Sequence, residues 1–133
     1  MSSNKGTFQP DSDVHITFED QQRINKFARL NARREDLKEE IKVKEGDLTN
    51  IEEACDEVAL YDDEEKVPYL VGEVFIYQDC EKTQECLKEA KSKVEQEINV
   101  LKMEGNKLKE MMTDLKSMLY GKFGSHINLE ADD

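Results

Sequence analysis

Few side chains in this 133-residue chain could do covalent, acid–base or metal chemistry, and they are scattered. Cys55, Cys80 and Cys86 form no C-x-x-C pair, and the histidines are His15 and His126, so neither a zinc ligand set nor a dithiol motif is spelled out. The acidic run Asp62-Asp63-Glu64-Glu65 offers oxygens to calcium, but it lacks the alternating spacing and central glycine of an EF-hand loop and reads as a solvated loop. His15 reads as a solvated residue of a polar tail. Hydrolysis or group transfer needs a nucleophile with a base, a phosphate loop or a metal cluster, and the sequence contains none. The expectation is a chain that is not an enzyme and binds no cofactor or metal. Three unpaired thiols fit a reducing compartment.

Composition points to an interaction protein. Only 37% of the residues are hydrophobic and 38% are charged, which argues against a single large core. Acidic residues number 31 against 19 basic, a formal charge of −12, and this disfavours nucleic acid or an anionic membrane as partner. No apolar run approaches the roughly 20 residues of a membrane span, and no signal-peptide core opens the chain, so a soluble intracellular protein is expected.

The stretch around which the chain is organised is Val67-Pro68-Tyr69-Leu70-Val71-Gly72-Glu73-Val74-Phe75-Ile76-Tyr77. It reads as a β-hairpin, because Gly72 at the first central position supplies the positive φ of a two-residue type II′ turn. Val67, Tyr69 and Val71 line one face, Leu70 the other, and Val74 to Tyr77 is apolar throughout, so both faces call for burial. A lone two-stranded hairpin is marginal in water, and two thin helices cannot cover both its sides. Other chains would supply the cover; an apolar loop folded down on the helices is the simpler alternative.

Two helical arms flank it. Residues 1–16 are polar and aperiodic and read as a flexible tail. Thr17 can cap the first arm, with Glu19 and Asp20 at the positive end of its dipole. Phe27, Leu30, Arg34, Leu37, Ile41, Lys44, Leu48, Ile51, Cys55 and Val58 then step by three and four, a heptad seam of roughly 45–50 Å with Ile24 and Ala28 outside it. After the hairpin, Asp79 is the expected cap of the second arm, whose seam is Leu87, Lys91, Val94, Ile98, Leu101, Gly105, Leu108, Met112, Leu115 and Leu119. Nearly equal arms favour an intrachain antiparallel pair. The favoured register pairs residues whose numbers add to 149, such as Ile41 with Leu108, and sets Lys44 opposite Gly105, where a glycine leaves room for the lysine stem. The alternative adds to 142 and sets Lys44 on Ile98. The segments are thus a tail at 1–16, a domain at 17–122 with arms at about 18–60 and 80–121 around a hairpin at about 66–78, and a C-terminal tail at 123–133 whose last acids read as solvated.

Beyond Leu119, glycines break the second arm, yet Tyr120, Phe123, Ile127 and Leu129 are apolar and return beside Phe18, Ile24 and Phe27. Either they form a clasp that closes the arm ends, or they form a surface for exposed apolar chain.

Three strings outside the heptads are more specific than the coiled coil: Thr17 to Arg29, Pro68 to Phe75 with its Gly72, and Lys122-Phe123-Gly124-Ser125 followed by Ile127 to Asp132. With the order arm, single hairpin, arm, the chain resembles a β-type prefoldin subunit over nearly everything after residue 16. The resemblance implies a mainly α fold, an antiparallel two-helix coiled coil whose single hairpin completes an intersubunit β-barrel. It implies an ATP-independent holdase, a hetero-hexamer of α-type and β-type subunits that captures unfolded proteins such as actin and tubulin and delivers them to the cytosolic chaperonin. Carried onto this chain, Val67, Tyr69, Leu70, Val71, Gly72, Val74, Phe75, Ile76 and Tyr77 would serve assembly, and Phe18, Ile24, Phe27, Leu119, Tyr120 and Phe123 would touch client. The cytoplasm is the expected compartment, with a nuclear population left open. The competing class is a structural coiled-coil tether or spacer that docks on a scaffold through its apolar hairpin.

Overall fold

A computed structural model describes residues 7–8, 15–61, 66–71 and 74–130. The elements in chain order are β1 (Thr7–Phe8), α1 (Phe18–Val58), β2 (Lys66–Val71), β3 (Val74–Asp79), α2 (Cys80–Phe123), a 3-10 turn (Gly124–His126) and β4 (Ile127–Asn128). No helix among the described residues is long and apolar enough to cross a membrane.

Local chemistry explains where the helices begin and stop. At the start of α1 the Asp20 backbone N–H donates to the Thr17 hydroxyl at 3.1 Å, and the Gln21 N–H to the Thr17 carbonyl at 3.0 Å. Thr17 is therefore the cap that its residue type predicts. Asp79 does the same for α2, its carboxylate accepting from the Lys82 N–H at 2.7 Å, while the Thr83 hydroxyl donates back to the Asp79 carbonyl at 3.0 Å. Past the end of α2, Gly124 has φ +56, a left-handed conformation that glycine adopts without a Cβ penalty.

The chain divides into two compact units, Met1–Glu39 with Lys102–Asp133, and Glu40–Leu101. In each, α1 and α2 run antiparallel with the heptad seams facing. In the first unit Lys122 pairs with Asp20, and Arg33 grips Glu104 through Nε at 2.8 Å and Nη2 at 3.1 Å. Here a cluster of Ile24, Phe27, Met112, Leu119, Phe123, Ile127 and Leu129 is buried. In the second unit Lys44 reaches Glu97 at 3.2 Å and Lys91 reaches Glu52 at 3.6 Å. Its buried cluster is Val58, Cys80 and Leu87, with Ile51, Ala54, Cys55, Tyr61 and Tyr69 packed against it.

These pairs correct the register. Asp20 and Lys122 add to 142, Lys44 and Glu97 to 141, and Lys91 and Glu52 to 143. The observed alignment is the one centred on 142, not 149. The reason is electrostatic. Asp20 is buried while Lys122 stays about half exposed and reaches in to it; the 142 alignment brings that ammonium to the carboxylate, whereas the 149 alignment would set it on Phe27 and leave Asp20 without it. Lys44 needs no glycine opposite, because its stem runs past the seam and its ammonium finds Glu97 at the edge.

The tails are also corrected. Thr7–Phe8 are not free chain but pair with β4, Thr7 opposite Asn128 and Phe8 opposite Ile127, and Ile16 packs on the first unit's cluster. The segment after Phe123 is likewise ordered through Glu130, with Ile127 and Leu129 buried. Ile24, off the seam by heptad counting, is buried because it belongs to the same cluster as these two. The remaining tail residues, the acidic run 62–65 and the turn at Gly72-Glu73 lie outside the described residues.

Two predictions follow from the packing. With the native cysteines replaced by alanine, a cysteine pair at Ile41 and Leu101 should oxidise to an intrachain disulfide and a pair at Ile41 and Leu108 should not, as gel mobility would show. A Cβ added at Gly46 or Gly105 meets nothing within 4 Å. Gly46→Ala and Gly105→Ala should each raise stability by roughly 0.5–1 kcal/mol in denaturant melts, while Gly124→Ala should lower it by about 1 kcal/mol, because its φ is positive.

Candidate functional site

Two regions carry the sequence-derived candidates. The first is the strand pair. β2 and β3 form a two-stranded antiparallel sheet with Tyr69 opposite Ile76, Leu70 opposite Phe75 and Val71 opposite Val74. Tyr69 is half-buried and packs against the Val58, Cys80 and Leu87 cluster. Burial pushes its phenol pKa up, and the Cys86 thiol and Glu89 carboxylate nearby push the same way. The Cys80 thiol donates to the Val58 carbonyl at 3.5 Å, tying the start of α2 to the end of α1. The strands therefore leave a fixed helical base. For Val67, Leu70, Val71, Val74, Phe75, Ile76 and Tyr77 the structure describes the backbone, and Gly72 lies outside the described residues.

The second region is the unit of residues 1–39 and 102–133, where the other candidates divide into two groups. Ile24, Phe27, Leu119 and Phe123 are core, each at most 5% exposed, with Leu119 at 0%. The expectation of an open apolar surface at these four is corrected in favour of the clasp: Ile127 and Leu129 lie over them and take them out of water. Tyr120 is half-buried at the edge of the cluster, and Phe18 stands 73% exposed. Sequence reasoning missed the exposed methionines Met103, Met111 and Met118, which share this unit and interrupt an otherwise polar face of α2.

It also missed the closing ion pair, although the signal was present. Counting the first seam back from Phe27 reaches Arg23 and then Asp20, and counting the second on from Leu119 reaches Lys122, so both seams run on into charged residues. Asp20 is 1% exposed; its carboxylate takes the Lys122 ammonium on one oxygen and the Arg23 guanidinium at 3.0 Å on the other. The Lys122 hydrogen bond is the main cause holding its pKa below the ordinary carboxylate value, opposed by burial and helped by Thr17. Arg33 likewise holds Glu104 below the usual range. Among the described residues no three His, Cys, Asp or Glu side chains gather to hold a metal.

A pair of long antiparallel helices capped at Thr17 and Asp79, linked through a two-stranded sheet, is the frame of a prefoldin subunit. Residues 21–126 match the family model described as "Prefoldin subunit", and the chain belongs to that family. It is a prefoldin chaperone subunit, and within the family it is similar to the subunits numbered 4. It is 48% identical over 132 residues to "Probable prefoldin subunit 4" of Drosophila melanogaster, covering 99% of this chain and 96% of that one. It is 52% identical over 122 residues to "Prefoldin subunit 4" of Homo sapiens, covering 91% of each. Its fold matches the crystal structure of the prefoldin beta subunit from Thermococcus strain KS-1 with a TM-score of 0.73 at 20% identity, over 80% of this chain and 94% of that one.

Because Asp20 titrates lower in the folded than in the unfolded chain, its stabilisation is complete above the unfolded carboxylate pKa of about 4 and is lost as pH falls through the lower folded value. Asp20→Asn should therefore lower stability by about 1–3 kcal/mol at pH 7, and the difference from the parent should vanish in melts at the acid end.

Proposed function

We propose that the chain is one subunit of a hetero-hexameric, ATP-independent holdase in the cytoplasm, built with other α-type and β-type prefoldin subunits. The observation that carries this reading is the β2–β3 pair: two strands with both outer edges unpaired among the described residues, anchored on the helices through Tyr69. Such a sheet is marginal alone and invites edge-to-edge addition of neighbouring strands. As a hairpin it completes an intersubunit β-barrel, with Val67, Tyr69, Leu70, Val71, Gly72, Val74, Phe75, Ile76 and Tyr77 as the assembly residues.

Unfolded clients such as actin and tubulin are held at the other candidate region, where Phe18 and Tyr120 offer apolar contact at the surface, and are then delivered to the cytosolic chaperonin. Several weak contacts from several subunits give avidity while each one releases quickly, so hand-over needs no nucleotide. The charge of −12 keeps the arms of neighbouring subunits apart and favours basic client segments.

Mixing the chain with α-type and β-type partners should yield, by light scattering, one species of about six chain masses that neither component forms alone. Leu70→Asp with Phe75→Asp should abolish entry into that species while circular dichroism retains the helices. A stable homodimer indifferent to partners would instead identify a spacer.

A further inference from the structure

The segment that closes the first unit has the form of a bound peptide. After the turn at Gly124 the chain is extended, and its side chains alternate: Ile127 and Leu129 are buried, while Asn128 and Glu130 are exposed. The buried pair sits among Ile24, Phe27, Met112, Leu119 and Phe123, a groove that the two helices build without help from the segment itself.

The polar attachments of this strap are few and lie at its rim. The Leu129 N–H donates to the Tyr120 hydroxyl at 2.9 Å, and that hydroxyl donates to the Glu130 carboxylate at 3.0 Å. Lys116, half-buried, approaches the exposed Glu130 carboxylate at 3.5 Å. β4 adds a two-residue pairing with β1. What holds the strap is thus chiefly two apolar side chains two residues apart and a main-chain N–H, with the exposed Glu130 carboxylate adding polar contacts at the rim. The groove also continues past Leu129: a cleft of about 120 Å³ opens there between Phe27, Arg34, Met112 and Lys116, with room for a further side chain.

We propose that this groove is a binding site for extended peptide carrying apolar residues at positions i and i+2, and that residues 127–129 are its resting occupant. The strap keeps Phe27, Leu119 and Phe123 out of water until an unfolded segment of matching pattern replaces it. Main-chain recognition through Tyr120 is indifferent to sequence, and the groove asks only for alternation, which every exposed strand of an unfolded protein supplies. The proposal rests on the client-capture reading above and names the class of segment this subunit takes.

The test uses the full-length chain at about 0.15 M salt, where the repulsion between acidic partners is screened beyond roughly 8 Å. The probe is a fluorescein-labelled peptide of sequence Gly-Ser-His-Ile-Asn-Leu-Glu-Ala-Asp-Asp, followed by anisotropy. If the strap is open only one to ten per cent of the time, I127S/L129S should bind the peptide about ten- to a hundredfold more tightly than the parent, since apparent affinity scales with the open fraction. A peptide with serine in place of both Ile and Leu should not bind either protein. Hydrogen exchange on the parent supplies an independent readout: the Leu129 amide should exchange much faster than the α2 core amide of Leu108. Unchanged peptide affinity in a variant that retains its helices overturns the proposal. So does Leu129 exchange no faster than that of Leu108, which would make the strap part of the global core, whatever the variant's fold. Neither measurement involves hexamer entry or aggregation, so the groove can fail while the chaperone reading stands.

Discussion

The pairing of Lys122 with Asp20 is the interaction on which the arrangement of the helices depends. A carboxylate 1% exposed is tolerated only with a cation and hydrogen bonds to satisfy it, and Lys122, Arg23 and the Thr17 cap supply them. Heptad spacing alone lets two helices slide by seven residues without breaking the apolar seam. A buried carboxylate that Lys122 reaches only in this alignment removes that freedom, because sliding the helices by seven residues would leave Asp20 buried without the ammonium. The same pair then places Phe27 near Met112 and Leu119, and so builds the floor on which Ile127 and Leu129 rest.

The helices, both caps and most inward positions could be read directly from the sequence, since three–four spacing survives a polar lapse such as Lys44 or Lys91. Buried Ile24 and Asn31, however, lie off the seam. The alignment could not be read with the seams stopped at Phe27 and Leu119, because both candidate registers obey the same a-to-d rule and the deciding residues lie outside those ends. Gly105 was a misleading guide: it looked like a void made for Lys44, but the lysine escapes sideways to Glu97. Ile127 and Leu129 were visible as apolar residues, yet a two-residue strand after a glycine has no period from which to infer a partner. Their burial comes from tertiary packing that no local pattern encodes. The same packing turned Ile24, Phe27, Leu119 and Phe123 from candidate surface into core.

The two units bury their residues unevenly. The strap-covered unit has fully enclosed side chains in Phe27, Leu37, Leu119 and Leu129, and the strand-bearing unit encloses Cys80 and Thr83. Along the second unit the seam residues Ile41, Leu48, Val94 and Leu101 are half-buried, and Ile98 is buried. Ile127 and Leu129 add a third layer over Ile24, Phe27, Leu119 and Phe123, so this short segment outside the coiled coil contributes to the core out of proportion to its length.

The basic residues lodged in the seams bear on how copies of the chain treat one another. Lys44 meets Glu97 and Lys91 meets Glu52, each cation answered from the other helix of the same chain. If two copies of α1 zipped together in parallel and in step, Lys44 would face Lys44 and Arg34 would face Arg34, like charges stacked along a drying seam. Each arm therefore finds a worse match in its own duplicate than in its natural companion. In a crowded assembly that presents several such arms at once, this asymmetry keeps every pair of helices folded on itself.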